Sequence, residues 1–108
     1  MERINYEDFK KVNLKIATIR SAINIDKSKN LIKLQIDLGT EERQILAGIK
    51  QYYKPEDLVG KQIVVVTNLK PATLMGEKSD GMLLAADIDG EPILLNLDKP
   101  VPPGTEVK

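Results

Sequence analysis

Residues 64–87 contain the feature that most constrains the fold, namely two apolar segments separated by a long polar loop. The run Ile63–Val66 is apolar and β-branched, and it is too short for a helix but suited to a buried strand. The chain then becomes polar, and Pro71 has no N–H group to donate to a sheet. Met82–Ala86 is apolar again. We therefore predict a strand, a loop over residues 68–81 and a second strand, and a loop of this length in a compact domain usually binds something.

Three further strands are predicted upstream of this stretch. In Leu31–Leu38 apolar residues alternate with polar ones, which predicts one face toward the core and one toward water. Leu14–Ile25 is also typical of a strand, but its apolar residues slip out of phase, and such a slip indicates a bulge or a strong bend. Arg43–Ala47 follows a turn that contains Gly39 and predicts the third strand.

Two short helices are predicted between and before these strands. Pro55–Gly60 begins with Pro and ends with Gly, which is the usual asymmetry of a helix. Asn5 can cap a helix at the start of the chain, and Phe9 and Val12 would then face inward. Three strands, a helix and two strands are the chain order of an OB-fold. We therefore predict an all-β fold, a five-stranded Greek-key OB-fold barrel with short helices and a C-terminal extension.

The end of the chain exceeds what five strands require. Asp89-Gly90 predicts a hairpin turn and residues 93–97 a strand. The apolar residues in this part are Ile93, Leu94, Leu95, Leu97 and Val101. A small monomer rarely leaves so much apolar surface exposed, so we predict a two-fold homodimer with a dimerisation extension over residues 88–108.

Composition limits the classes of function. A chain of 108 residues with 42% hydrophobic residues predicts a single domain, 1–108. The chain has no Cys and no His, which excludes disulfides, Cys/His zinc sites and the usual nucleophile pairs. We find no catalytic constellation and no cofactor motif, so the prediction is a binding protein and not an enzyme, with no cofactor and no metal. No signal region or bilayer-spanning run is evident, so we expect a soluble, cytoplasmic protein without membrane contact.

Charge is balanced overall but unevenly distributed. The net charge is zero, yet residues 1–54 carry 11 Lys/Arg against 7 Asp/Glu, and residues 55–108 carry 5 against 9. A neutral protein can therefore present a basic face, although such asymmetry is often only solvated surface.

The predicted loop carries a specific resemblance. Asn68-Leu69-Lys70-Pro71, then Met75-Gly76, then Ser79–Ala85 closely resemble the signature of the tRNA-binding domain family. That family includes the C-terminal domain of methionyl-tRNA synthetase and free-standing tRNA-binding proteins. Ala47–Ile49, Pro55–Gly60 and Val101–Thr105 resemble it too, so the similarity covers nearly the whole chain. It implies a tRNA partner gripped at its outer elbow with little regard for sequence, a homodimer, and a possible synthetase catalytic chain as a second partner.

The candidate RNA-binding residues are Lys33, Arg43, Asn68, Lys70, Ser79 and Met82. Ser79 could simply cap a turn and Met82 could be a core residue, and the resemblance is what raises them to site residues. For Lys70 the resemblance places a phosphate contact ahead of a merely solvated lysine. Arg43 follows Glu41 and Glu42, so a local ion pair and an RNA contact are about equally favoured. Lys33 lies on the predicted wet face of the second strand, where a lysine is more often plain surface.

The loop over residues 26–30 departs from the family pattern. Relatives often carry a His-Pro-Asp-Ala-Asp-like run there, whereas this chain has Asp-Lys-Ser-Lys-Asn. Two interpretations stay open: either Lys27 and Lys29 replace the usual contacts with phosphate contacts, or the loop is simply solvated.

The scarcity of aromatic residues indicates which kind of nucleic acid is bound. Barrels that hold single strands use stacking platforms worth about 1–3 kcal/mol per base. This chain has only Tyr6, Phe9, Tyr52 and Tyr53, none on the predicted wet faces of the second and third strands. Recognition of a folded RNA by its backbone and shape is therefore favoured.

The alternatives to a tRNA-binding function, in order, are a chaperone-like barrel linked to protein export and an enzyme.

Overall fold

The computed structural model describes all 108 residues. Helices α1 and α2 span Tyr6–Phe9 and Pro55–Leu58. The strands are β1 Leu14–Asn24, β2 Ile32–Asp37, β3 Glu42–Ala47, β4 Gln62–Val66, β5 Ala72–Leu74, β6 Glu77–Ser79, β7 Met82–Leu83, β8 Ala85–Ile88, β9 Glu91–Leu94 and β10 Glu106–Val107.

The main sheet curls into a barrel in the order β3-β2-β1-β4-β7, and all of its pairings are antiparallel. Two hydrogen bonds join β3 to the residues that lead into β7: Asp80 N–H donates to the Gln44 carbonyl at 2.9 Å and Leu46 N–H donates to Ser79 Oγ at 3.0 Å. This is the strand order of a Greek-key OB-fold, which confirms the predicted all-β class.

The first strand serves both sides of the barrel. The N-terminal half of β1 pairs with β4 and the C-terminal half with β2, and the register shifts between Ile19 and Ser21. The predicted bulge is therefore confirmed. The apolar residues of β2 alternate as predicted, since Ile32, Leu34 and Ile36 are all fully buried. Leu58 of α2 is also fully buried and joins the same core cluster.

The C-terminal part of the chain divides into a hairpin and a tail. Asp89 and Gly90 form the predicted turn between β8 and β9, with φ of 50° and 92°. The strand predicted over residues 93–97 instead spans Glu91–Leu94. It begins earlier because Pro92 is tolerated in this two-stranded ribbon, where edge positions do not need its N–H group.

The tail is fastened to the barrel. The Gln62 side chain accepts from Val101 N–H and donates to the Val101 carbonyl, at 3.1 and 2.7 Å. Gly104 N–H donates to the Ile16 carbonyl at 2.7 Å, and β10 then pairs with the start of β1. The end of the predicted extension is thus part of the main sheet.

The N-terminal helix differs from its prediction. Phe9 and Val12 were expected to face inward, but they are 41% and 44% exposed, and α1 buries no residue at all. A four-residue helix is too short to hold two apolar side chains against the barrel. No helix has the length and apolar character needed to cross a membrane.

Candidate nucleic-acid interface

The loop predicted over residues 68–81 contains a small hairpin. Its strands β5 and β6 pair from Ala72 with Ser79 to Leu74 with Glu77. The tip is Met75-Gly76, with φ of 53° and 77°. Gln44 of β3 fixes the hairpin to the barrel because its side-chain amide donates to the Lys78 carbonyl at 2.9 Å. The loop is therefore an ordered projection and not an irregular segment.

A groove of about 280 Å³ separates the hairpin from the loop after β1. Residues 23–27 line one side, and Met75 and Glu77 line the other. Lys27 and Lys33 both lie in this groove. Lys33 Nζ is 3.5 Å from the Glu77 carboxylate, so its charge is partly compensated. Two of the predicted lysines are thus brought together, whereas Lys29 is exposed outside the groove.

Arg43 points to the end of the barrel and not to the wet face of the sheet. Its guanidinium donates to the Glu41 carboxylate at 2.7 Å and to the Thr67 carbonyl at 2.6 Å, and lies 3.8 Å from the Asp80 carboxylate. The hydrogen bond from Arg43 lowers the pKa of Glu41, and the same bond raises the pKa of Arg43. Thr67 precedes the hairpin loop and Asp80 ends it, so Arg43 joins the two ends of the loop.

Asn68 is also engaged within the protein. Its side-chain oxygen accepts from Asn13 N–H at 2.8 Å, and its amide nitrogen donates to the Lys11 carbonyl at 2.6 Å. Both polar atoms of this side chain therefore anchor the start of the hairpin loop to the segment before β1.

Ser79 is buried at the opposite end of the hairpin. Its hydroxyl accepts from Leu46 N–H at 3.0 Å and donates to the Gly81 carbonyl at 3.1 Å. Arg43, Asn68 and Ser79 thus all hold the hairpin in place, and a direct RNA contact by any of them stays a prediction.

Lys70 and Met82 are both exposed. They share a second cavity, of about 190 Å³, between the hairpin and β3. Leu69 and Leu74, which are 44% and 43% exposed, also line this cavity. Lys70 makes no ion pair with any carboxylate of the chain. Its ammonium group is therefore available to an external anion.

Comparison with known families identifies the family of the chain. The family model described as "Putative tRNA binding domain" matches residues 14–106. The chain belongs to the tRNA-binding domain family. The family resemblance inferred from residues 68–85 is thereby confirmed.

The curated relatives of this tRNA-binding domain are much longer proteins. The chain is 50% identical over 109 residues to methionine–tRNA ligase of Methanocaldococcus jannaschii, and 54% identical over 104 residues to that of Thermotoga maritima. These alignments cover 100% and 96% of this chain, but only 17% and 16% of the two ligases. The chain is similar to an accessory part of such enzymes and contains no catalytic domain.

Solved structures of similar size match over their full length. A MetRS-related protein from Pyrococcus horikoshii superposes with a TM-score of 0.94 at 38% identity, and each chain is covered completely. The chaperone CsaA of Bacillus anthracis superposes with a TM-score of 0.91 at 34% identity, covering 99% of this chain and 100% of that one.

Sequence patterns did not identify two lysines that lie near the candidate interface of this tRNA-binding domain. Lys78 is exposed on β6 and makes no ion pair. The position of Lys78 next to Ser79 could have indicated a role in the site. Only a prediction of the β5–β6 hairpin, however, would have placed Lys78 on it. Lys50 follows β3 and contacts the loop after β1, a contact that sequence spacing does not reveal.

Proposed function

We propose that the chain binds folded tRNA through the sugar-phosphate backbone, with the β5–β6 hairpin and the loop after β1 as the contacting elements. The observation that carries the proposal is the placement of Lys27, Lys70 and Lys78 around the hairpin without carboxylate partners. No aromatic residue lines either adjoining cavity, so bases would not be stacked there. Membership of the tRNA-binding domain family supports the same ligand.

Because the net charge is zero, attraction to RNA must come from this local patch. Each phosphate neutralised adds roughly 0.7–0.9 to the slope of the logarithmic salt dependence. The slope therefore distinguishes a residue that touches phosphate from one that only shapes the site.

Lys70→Ala is expected to weaken tRNA binding roughly fivefold, because an exposed ion pair contributes up to about 1 kcal/mol. The salt slope should fall by about one unit, and two unrelated tRNAs should be affected alike. Fluorescence anisotropy across a salt series measures both quantities. Lys99→Ala, which removes another exposed lysine, in the C-terminal part of the chain, is the matched control. An unchanged affinity and slope for Lys70→Ala with both tRNAs would reject the hairpin as the RNA site.

Ser79→Ala is expected to act differently. The substitution leaves the buried Leu46 N–H without an acceptor, which costs about 1–3 kcal/mol of stability. Binding should weaken because the hairpin is less firmly held, with little change in the salt slope since no charge is removed. Urea denaturation tests the loss of stability, and the same anisotropy series tests the affinity and the salt slope.

A homodimer is the second element of the proposal. Ile88, Ile93 and Leu95, on or next to the β8–β9 hairpin, are 60%, 37% and 42% exposed. Leu94 between them is buried and fixes the hairpin, because its N–H donates to the Tyr53 hydroxyl at 3.1 Å. A second copy covering these side chains would remove them from water.

Ile93→Asp is expected to convert the dimer to a folded monomer, since an unpaired carboxylate in an apolar interface costs several kcal/mol. Light scattering at micromolar concentration gives the mass, and circular dichroism checks the fold. Leu94→Asp, one residue away but in the core, should unfold the protein instead. A monomeric mass for the unmodified protein would reject the dimer.

The proposed role of this binding is to assist aminoacylation. The chain would supply tRNA affinity to a methionyl-tRNA synthetase catalytic region, either within one chain or as a separate cytoplasmic partner. It would carry out no chemistry itself. Adding the protein to a synthetase lacking this domain should lower the KM for tRNA with little change in kcat.

A chaperone-like role is the second candidate, favoured by the similarity to CsaA and by the exposed apolar side chains of Leu69, Leu74 and Met82 in one cavity. Direct binding to each ligand decides between the two. A tRNA-binding domain should shift bulk tRNA in a gel and leave unfolded protein unbound, whereas a chaperone-like barrel should bind unfolded protein and leave tRNA unshifted.

A further inference from the structure

The loop after β1 is held partly by its own residues and partly by a lysine from another segment. Ile25–Ser28 forms a turn closed by Ser28 N–H donating to the Ile25 carbonyl at 3.0 Å. Ser28 Oγ accepts from Asn30 N–H and Leu31 N–H, both at 3.1 Å, and so orders the second half of the loop. Residues 26–30 include no Pro and no Gly to preset the backbone of the first half. A contact from outside the loop can therefore add to the stability of the Ile25–Ser28 turn.

Lys50 supplies the main external contact. Its ammonium donates to the Ile25 carbonyl at 2.8 Å and to the Ser28 carbonyl at 2.7 Å, so it bridges the two ends of the turn. Its backbone N–H donates to the Asn30 carbonyl at 3.0 Å. The Gln51 side chain adds a hydrogen bond to the Asn30 side chain at 2.9 Å. The segment that follows β3 thus contacts the loop at Ile25, Ser28 and Asn30.

The two residues enclosed by this bridge are Asp26 and Lys27, and both are exposed. Lys27 lies in the groove with Lys33 and Met75 of the hairpin tip. The position of Lys27 in the groove therefore depends on the turn that Lys50 closes. Lys50 makes no ion pair with a carboxylate, so its hydrogen bonds are made only to neutral carbonyl groups of the loop.

We propose that Lys50 is a positioning residue of the RNA interface: it fixes the turn so that Lys27 meets a phosphate of the bound RNA. This inference rests on the proposed tRNA function and adds a mechanism for the loop that departs from the family pattern. The bridging ammonium adds to the backbone hydrogen bond and the Ser28 hydroxyl contacts that the loop makes for itself. Lys50 itself need not touch RNA.

A double-mutant cycle tests the proposal. Binding of bulk tRNA is measured by anisotropy across a salt series for the unmodified chain, Lys50→Met, Lys27→Ala and the double variant. Lys54→Met is the matched control, because Lys54 is an exposed lysine that donates no hydrogen bond to the loop. Amide hydrogen exchange at Ser28, Asn30 and Leu31 reports the order of the loop directly.

The expected result has three parts. Lys50→Met weakens binding three- to tenfold more than Lys54→Met, this excess disappears when Lys27 is already Ala, and exchange in the loop becomes faster. Lys50→Arg, which keeps a cation with several N–H donors, recovers part of the affinity. If Lys50→Met proves unstable at the assay temperature, Lys50→Gln replaces it in the cycle with the same expectations.

Other results overturn the proposal in distinguishable ways. Equal effects of Lys50→Met and Lys54→Met would show that only general charge matters. An undiminished effect of Lys50→Met in the Lys27→Ala background would make Lys50 a direct contact. No effect of Lys27→Ala, with Lys70→Ala still weakening binding, would remove the loop from the interface and leave the tRNA function intact. Absence of tRNA binding by the unmodified chain would overturn the function itself, and this inference with it.

Discussion

Gly104→Ala is expected to lower the free energy of unfolding by about 3 kcal/mol, since a strained backbone and an overpacked contact each cost about 1–3 kcal/mol. Gly104 has a φ of +89°, a region that residues with a Cβ atom rarely adopt. A Cβ atom at this position would overlap the carbonyl oxygen of Leu38. Relief of that contact would require the tail to move away from Ile16, whose carbonyl accepts from Gly104 N–H.

Gly60→Ala is the matched control. Gly60 has nearly the same φ, +91°, but no heavy atom lies within 4 Å of the added Cβ atom. It should therefore cost only the conformational part, about 1–2 kcal/mol. Urea denaturation, fitted with one common dependence of the unfolding free energy on urea concentration, measures the difference in stability between the two variants. Equal losses for the two variants would mean that the tail yields freely and contributes little to the barrel.

Arg43→Met is expected to cost about 2 kcal/mol of stability, because charged hydrogen bonds are worth about 1.5–3 kcal/mol and the Thr67 carbonyl loses its donor. Binding of tRNA should weaken several-fold, since the two ends of the hairpin loop are no longer joined. The salt slope should change little because the guanidinium already faces Glu41 and Asp80. A slope that falls as far as with Lys70→Ala would instead make Arg43 a direct phosphate contact.

Arg20→Met is the control for this substitution. Arg20 donates to the Asp37 carboxylate at 2.6 Å, but its side chain is 56% exposed, so the loss should stay below about 1 kcal/mol. The pKa of Asp37 is lowered by the Gly39 N–H and then by Arg20. A carboxylate with a lowered pKa contributes stability at neutral pH that is lost as the pH falls. The difference between the Arg20 variant and the unmodified chain should therefore vanish in acid.

The barrel was predictable from local patterns. The alternation of apolar and polar residues over 31–38 predicted β2, because one face of that strand is buried in the core and the other is only partly buried. The phase slip in β1 gave the bulge, since a change of side-chain phase along one strand requires an extra residue. Pro55 and Asp89-Gly90 marked α2 and the β8–β9 turn through backbone geometry that few other residues favour.

Elements without a buried face were not predictable in the same way. All three residues of β5 are exposed, so no alternation marks the hairpin inside residues 68–81. The turn at Met75-Gly76 places a methionine at positive φ, which its residue type does not suggest. The pairing of β10 with β1 joins residues more than 90 positions apart in a two-residue strand, too short for any periodicity.

The residues of the candidate site could be predicted from the sequence, but the role of each residue could not. Resemblance to a family selected Lys70 and Met82, which are exposed together, and equally Asn68 and Ser79, whose polar atoms are used inside the protein. The distinction depends on hydrogen bonds between distant segments. Sequence spacing does not reveal those hydrogen bonds. It therefore could not distinguish residues that contact RNA from residues that hold the hairpin in place.

The pairing of Leu14 with Val107 also determines how the domain would respond to a mechanical load. Because β1 and β10 are antiparallel, the end at which β1 begins and the end at which β10 finishes lie side by side. A force that separates the two termini would load this short ladder one hydrogen bond at a time, as in unzipping, and not as a shear across all its bonds. The tail would peel away first, while the five barrel strands and the hairpin stayed folded.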